Sequence, residues 1–86
     1  MSDLKTLIKN MENAPENVKF KDLLKICTTY FGEPRITGSH HIFKTPWKGD
    51  PRINIQKSGN KAKKYQVMQV LKALNKLEHD AGEDDV

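Results

Sequence analysis

The sequence predicts an α+β fold in which a three-stranded antiparallel sheet carries helices on one face, in the order α-α-β-β-β-α. Apolar residues repeat with the helical period before residue 32 and again after residue 63, whereas the segment between them alternates with the strand period of two. Gly and Pro separate these segments, as expected where a chain turns. With 86 residues the chain is expected to form one small domain, residues 1–80, followed by an acidic tail, residues 81–86.

Three amphipathic stripes predict the helices. The first lies in an N-terminal helical extension, residues 1–16, and consists of Leu4, Leu7, Ile8 and Met11. The second opens the core of the domain, residues 18–77, and consists of Phe20, Leu23, Leu24, Cys27, Tyr30 and Phe31. The third begins after about Lys63 and consists of Val67, Val70, Leu71, Leu74 and Leu77. Pro15 is expected to end the first helix, and Gly32 with Pro34 the second.

Three strands are predicted between the second and third helices, at residues 35–37, 40–45 and 52–56. Gly38-Ser39 is expected to turn the chain between the first two, and PWKGDP to form the next hairpin loop. KSGNKAKK, residues 57–64, is interpreted as a basic loop. Because helices cover one face of so small a sheet, the other face should be open to solvent.

Charge is concentrated in the middle of the chain. Residues 18–79 contain 13 Lys or Arg against four Asp or Glu, a net charge of +9, and the last seven residues contain four acids. This pattern favours a polyanionic partner, above all nucleic acid, although ordinary surface lysine also makes a protein basic. The acidic tail is expected to be disordered.

Composition also excludes several classes of protein. No apolar run approaches the roughly 18 residues of a membrane span, and the N-terminus does not resemble a signal peptide. A cytoplasmic protein is therefore expected, without membrane contact and too small for a buried cofactor. A single cysteine, Cys27, excludes an internal disulfide and a Cys-rich zinc site, and its apolar helix position predicts a core side chain.

Two of the three histidines, His40 and His41, are adjacent in the segment ITGSHHIF. Neighbouring strand residues point to opposite faces. If Phe43, the larger hydrophobe, faces the helices, His41 does so too and is interpreted as a partly buried packing residue. His40 then faces the open side. No Asp, Glu or Cys has ligand spacing with the histidines, and no metal site is predicted.

A histidine on a basic open face has the chemistry needed to cleave RNA. The 2′-hydroxyl is the nucleophile, so cleavage needs a base, an acid and cations, and a proton-transfer group contributes roughly 10²–10⁴-fold. Gly38 would let the backbone approach a phosphate and Ser39 would donate a hydrogen bond. The cations expected to hold phosphates are Lys44, Arg52, Lys61, Lys63 and Lys64. A structural or incidental role for His40 remains an alternative on these residues alone.

The run from Val18 to Leu74 resembles the HicA family, the toxin half of type II toxin–antitoxin pairs. The resemblance is carried by FKDLLKICTTYFGE, by GSHHIF followed by a proline, by INIQ, and by GNKAKKYQVMQVLKAL. It implies a core similar to a double-stranded-RNA-binding domain. It also implies ribosome-independent cleavage of mRNA, which inhibits translation, with His40 as the essential general acid/base and no cofactor. A HicB-type antitoxin is expected to cover the site.

The sequence departs from the family pattern after the third strand, where shorter relatives have Pro-x-His and this chain has IQKSGN. His41, a lysine or water would have to supply the second proton transfer. Trp47, in the loop PWKG, is expected either to fold over the sheet edge or to stay exposed, where it would stack on a base or anchor a partner near the rim of the open face.

Two other functions are compatible with these features. One is a non-catalytic RNA-binding module of similar fold, which grips duplex RNA through Lys61, Lys63 and Lys64. The other is a protein-binding adaptor that uses Trp47 and the open sheet face. The adaptor leaves the charge of +9 unexplained.

Overall fold

The computed structural model has the predicted order of helices and strands, with one strand more than predicted. It describes residues 4–49 and 51–83, with side chains up to residue 78. The elements are α1 (Leu4–Asn13), α2 (Phe20–Phe31), β1 (Arg35–Thr37), β2 (His40–Phe43), β3 (Ile53–Ser58), β4 (Lys61–Ala62) and α3 (Lys64–Glu83). The strands form one antiparallel sheet in the order β1-β2-β3-β4. The described part of the chain is therefore an α+β fold of three helices and a four-stranded sheet.

The fourth strand corrects the prediction of a three-stranded sheet. The segment KSGNKAKK is not a loop, because β3 continues to Ser58 and the chain returns as β4, with Ser58 opposite Lys61. Gly59, the first residue of the two-residue turn, has a φ of 63°. A tight hairpin turn requires such a positive φ, and glycine adopts it without strain.

The helices cover one face of the sheet. Both α2 and α3 pack against β3, and the side chains of Phe43, Ile53 and Ile55 are buried beneath them. Burial of a large apolar side chain stabilises the fold by about 1.5–3 kcal/mol. The edge strand β1 is exposed, and Ile36 has 61% of its surface in contact with solvent. The core therefore lies between the helices and the centre of the sheet.

The N-terminal helix is part of this core. It contacts α2 and α3, and it buries Leu7 and Met11, of which Met11 is only 1% exposed. Pro15 lies in the turn that follows α1, as predicted. The described part of residues 1–16 is thus packed against the domain.

The ends of the other helices also follow from their sequences. At the end of α2 the Gly32 N–H donates to the Thr28 carbonyl at 3.1 Å, as predicted for a helix that stops at this glycine. α3 begins at Lys64 and continues to Glu83, into the segment 81–86 for which composition predicts disorder. Residues 84–86 of that segment lie outside the described residues. No helix in the described ranges combines the length and the apolarity needed to cross a membrane.

One buried polar side chain joins α3 to the sheet. Gln66 is 3% exposed, and its Oε1 accepts a hydrogen bond from the backbone N–H of Gln56 at 2.7 Å. β4 ends at Ala62, one residue short of the position that would pair with Gln56. The Gln56 N–H therefore has no strand partner on that side, and the Gln66 side chain accepts its hydrogen bond instead. Its own amide donates to the Tyr65 hydroxyl at 3.3 Å. Gln66 therefore fixes the backbone of the residue that lies opposite His40.

Replacing Gln66 by Ala should lower the free energy of unfolding by about 1–3 kcal/mol, because the Gln56 N–H would lose its acceptor. Gln69, exposed on the same helix, is the matched control, and Gln69→Ala should change stability by less than about 0.5 kcal/mol. Urea denaturation measures both variants. Equal stability would show that the Gln66 bond does not hold the helix to the sheet.

Candidate active site on the open sheet face

His40 projects from the face of the sheet opposite the helices, in the orientation that the alternation predicts. Phe43 pairs with the buried Ile53, and His41 pairs with the buried Ile55, so these positions form the helix-covered face. His40 has the opposite parity and lies on the other face. We call this the open face.

Asn54 holds the His40 ring. The residue lies on the neighbouring strand, and its Oδ1 is 3.1 Å from His40 Nδ1. Because a carbonyl oxygen only accepts, Nδ1 is the donor in this bond. The neutral ring then has its proton on Nδ1, and Nε2 is the nitrogen that can accept a proton. The imidazole is half-buried. Asn54 holds its Nδ1, and part of the ring is accessible to solvent.

A second chain of hydrogen bonds connects the strand position opposite His40 with a cation. Gln56 lies opposite His40, and its amide nitrogen donates to Ser39 Oγ at 3.3 Å. Its amide oxygen accepts from Lys63 Nζ at 3.1 Å. Gln56 therefore connects Ser39, on one side of the open face, with the ammonium group of Lys63 on the other.

Gly38 is explained by the turn that it starts. Thr37 pairs with His40, which leaves a two-residue turn at Gly38-Ser39, and Gly38 has a φ of 60°. Apart from its chain neighbours, no heavy atom lies within 4 Å of the position that a Cβ would occupy. The glycine is therefore required by its backbone conformation and not by a close contact.

Of the remaining cations predicted from the sequence, Lys44, Arg52 and Lys61 border the open face. Lys44 follows β2 and Arg52 precedes β3, and both are exposed at the end of the hairpin away from Gly38. Lys61 lies on β4 opposite Ser58, on the same face as Gln56. Lys64 is exposed at the start of α3.

Three residues of the open face were not predicted as site residues. Arg35 lies opposite Ile42 on the same face as His40 and is exposed, and Asn54 and Gln56 occupy the adjacent positions of β3. The alternation Arg-Ile-Asn-Ile-Gln in residues 52–56 already separates the polar face of β3 from the apolar one. Only the register of β2 against β3 shows that the polar face meets His40.

The two auxiliary candidates, His41 and Trp47, lie on the helix side. His41 packs edge-on against Phe20 with ring centroids 5.1 Å apart, and its buried Nδ1 has no hydrogen-bond partner among the described residues. It is placed as a packing residue and does not share a face with His40. Trp47 is half-buried, edge-on to Phe31 at 6.3 Å, with Lys76 Nζ 4.7 Å from its ring centroid. The packed alternative is observed, and the position of Trp47 near the rim of an antitoxin interface stays a prediction.

The described residues contain neither a reactive cysteine nor a cluster of metal ligands. Cys27 is fully buried in the core, and burial raises the pKa of its thiol to about 12, so the thiol is protonated at neutral pH. No three His, Cys, Asp or Glu groups lie close enough to hold a metal ion in the part of the chain that was described. The side chain of His79 lies outside that part.

Comparisons of the chain with models of protein families, with characterised proteins and with solved structures found no match. The resemblance to the HicA family therefore rests on the sequence motifs alone. The function must be argued from the chemistry of the open face.

Proposed function

We propose that the protein is a metal-independent endoribonuclease that cleaves mRNA with His40 as general acid/base, and that it is the toxin of a HicA-type toxin–antitoxin pair. The observation that carries the proposal is the His40 imidazole, fixed by Asn54 on an open face that also holds Lys63. The GSHHIF motif supports it independently. We further propose that α2, the sheet and α3 form a core similar to a double-stranded-RNA-binding domain, to which α1 and β4 are additions.

RNA would bind with its sugar–phosphate backbone across the open face. Lys44 and Arg52 at one end, and Lys61, Lys63 and Lys64 at the other, neutralise successive phosphates. Arg35 adds a guanidinium in the same cross-strand row as Asn54, with Ile42 between them. These contacts supply affinity and place one ribose against the His40 ring.

Cleavage would then need no external nucleophile. His40 Nε2 removes the proton of the 2′-hydroxyl, the 2′-oxygen attacks the adjacent phosphorus, and the bond from phosphorus to the 5′-oxygen breaks. The products are a 2′,3′-cyclic phosphate and a 5′-hydroxyl. The Lys63 ammonium, held by Gln56, stabilises the negative charge of the phosphorane. Because His41 lies on the other face, Lys63 or water gives the proton to the leaving oxygen.

The positive charge of the open face also indicates what kind of protein would bind it. A HicB-type antitoxin would cover the open face with acidic groups that complement Lys44, Lys61 and Lys63, and so keep RNA from His40. We expect this protein alone to arrest bacterial growth, an acidic protein to be encoded beside its reading frame, and co-expression of the two to restore growth. Growth arrest that persists on co-expression would contradict this assignment.

Purified protein should cleave labelled mRNA in the presence of EDTA and leave 2′,3′-cyclic phosphate ends. His40→Ala should reduce the rate by about 100-fold or more, because the proton acceptor is lost. His41→Leu is the matched control, since it keeps an apolar group against Phe20 and should retain cleavage.

Several results would contradict the proposal. Full activity of His40→Ala would show that the histidine is not the acid/base, and loss of cleavage in EDTA would indicate a metal mechanism. RNA that is retarded in a gel but remains intact would instead favour a non-catalytic RNA-binding module.

Asn54 should act as a positioning residue for the His40 ring. Asn54→Ala should lower kcat about tenfold or more with little change in KM. Without Asn54 the His40 ring loses its fixed orientation, and proton transfer by the ring becomes less efficient. Asn54→Asp restores an acceptor for Nδ1 and should recover much of the rate. Its carboxylate also stabilises the imidazolium, so activity should rise at a higher pH than in the wild type.

Rates and pH profiles of the two variants measure this role. If both variants lose activity equally with an unchanged pH profile, Asn54 contributes only to the stability of the sheet.

A further inference from the structure

A second cluster of cations surrounds a cavity at the β4 edge of the sheet. The cavity has a volume of about 600 Å³ and lies where the start of α2 meets the turn between β3 and β4. Of this cluster, only Lys61 is among the proposed RNA contacts of the open face. The residues that line the cavity are Asn17, Lys19, Phe20, Lys21, Lys57, Asn60 and Lys61.

Backbone pairing brings these lysines together from three separate segments. Phe20 N–H donates to the Asn60 carbonyl at 3.0 Å, and Lys19 forms an antiparallel bridge with Lys61. The segment before α2 thus extends the sheet beyond β4. Lys57 lies on β3 and Lys61 on β4, the two strands of the hairpin that turns at Gly59 and Asn60. The positions of the four lysines are fixed by the fold, although they are far apart in sequence.

The chemistry of the cavity suits an anion with several charges. Four lysines line one volume, and the described residues that line it include no carboxylate. Like charges at short range repel each other, and a bound phosphate group would remove that repulsion. The side-chain amides of Asn17 and Asn60 add neutral donors.

The cavity is connected with the open face. Lys61 lies opposite Ser58 on the open face and also lines the cavity. Lys63, two residues later, reaches Gln56 beside His40. Lys63 and Lys61 are therefore the two cations through which the surroundings of His40 and the cavity are connected.

We propose that this cavity is a second phosphate-binding site, which holds the backbone of the same RNA strand beyond the bond that is cleaved. The inference rests on the proposed function. The site contributes affinity and direction to the strand and takes no part in proton transfer. The cleaved RNA must therefore extend past the scissile bond toward the β4 edge.

The test is a triple variant, Lys19→Gln with Lys21→Gln and Lys57→Gln, prepared with and without His40→Ala. RNA binding by the His40→Ala forms is measured as a function of salt concentration. Loss of three phosphate contacts should make the slope of log K against log salt shallower by about 2, since each contact on a single strand contributes about 0.7. Cleavage at saturating RNA should be unchanged in the form that keeps His40.

The matched control replaces three exposed lysines on the helices, Lys9, Lys25 and Lys72, by Gln. Its net charge equals that of the cavity variant, but none of its positions lines the cavity. A smaller change of slope is expected. Inorganic pyrophosphate is the second probe, and we expect saturable binding to the wild type that is lost only in the cavity variant.

Each outcome decides between the two proposals. Equal salt slopes for the cavity variant and the control would overturn the second site, while cleavage that depends on His40 would still support the nuclease. Pyrophosphate binding by a wild-type protein that neither binds nor cleaves RNA would overturn both, because the cavity would then serve a free phosphate ligand.

Discussion

The burial of Phe43 against the helices determines the rest of the site. Phe43 is fully buried and pairs with Ile53, and this pairing sets the register of β2 against β3. Since side chains alternate across a strand, the same register turns His41 toward Phe20 and His40 toward solvent. A slip by one residue would turn His40 toward the helices and His41 toward solvent. The packing of apolar side chains on the helix-covered face therefore decides which side chains lie on the open face.

The open face shows how neutral amides can organise a cationic site. Asn54 and Gln56 lie between the imidazole and the surrounding charges, and each makes hydrogen bonds that fix a neighbour. The amide of Gln56, opposite His40, holds the Lys63 ammonium without placing an anion there. A carboxylate in its place would attract Lys63 more strongly but would also repel phosphate. Neutral residues thus fix the geometry and leave the positive field available to a polyanion.

Much of the fold was predictable because the helices bury clear stripes. α2 ends at the predicted Gly32, and β1 and the turn at Gly38 lie where the sequence placed them. β4 was missed because its burial signal is a single small residue, Ala62, between two lysines. Trp47 was assigned to a loop, where no periodicity indicates direction, and only the structure shows that it packs on Phe31.

The candidate site was predictable in part for the same reason. The orientation of His40 follows from alternation within one strand, whereas Asn54 and Gln56 become neighbours of His40 only through pairing between strands. The cavity lysines come from three segments, so no spacing in the sequence indicates their cluster. Local patterns predict which face a residue occupies, and tertiary register decides what it meets there.

The two adjacent histidines allow a direct test of the orientation and of the RNA contact in a single NMR experiment. The ring signals of His40 and His41 are followed while an RNA strand with a 2′-deoxy nucleotide at the cleavage position, which cannot be cut, is added. We predict that the His40 ring signals shift with saturation and that those of His41, packed on Phe20, stay in place. Shifts at His41 with an unchanged His40 would contradict the assignment of the open face as the site of RNA cleavage.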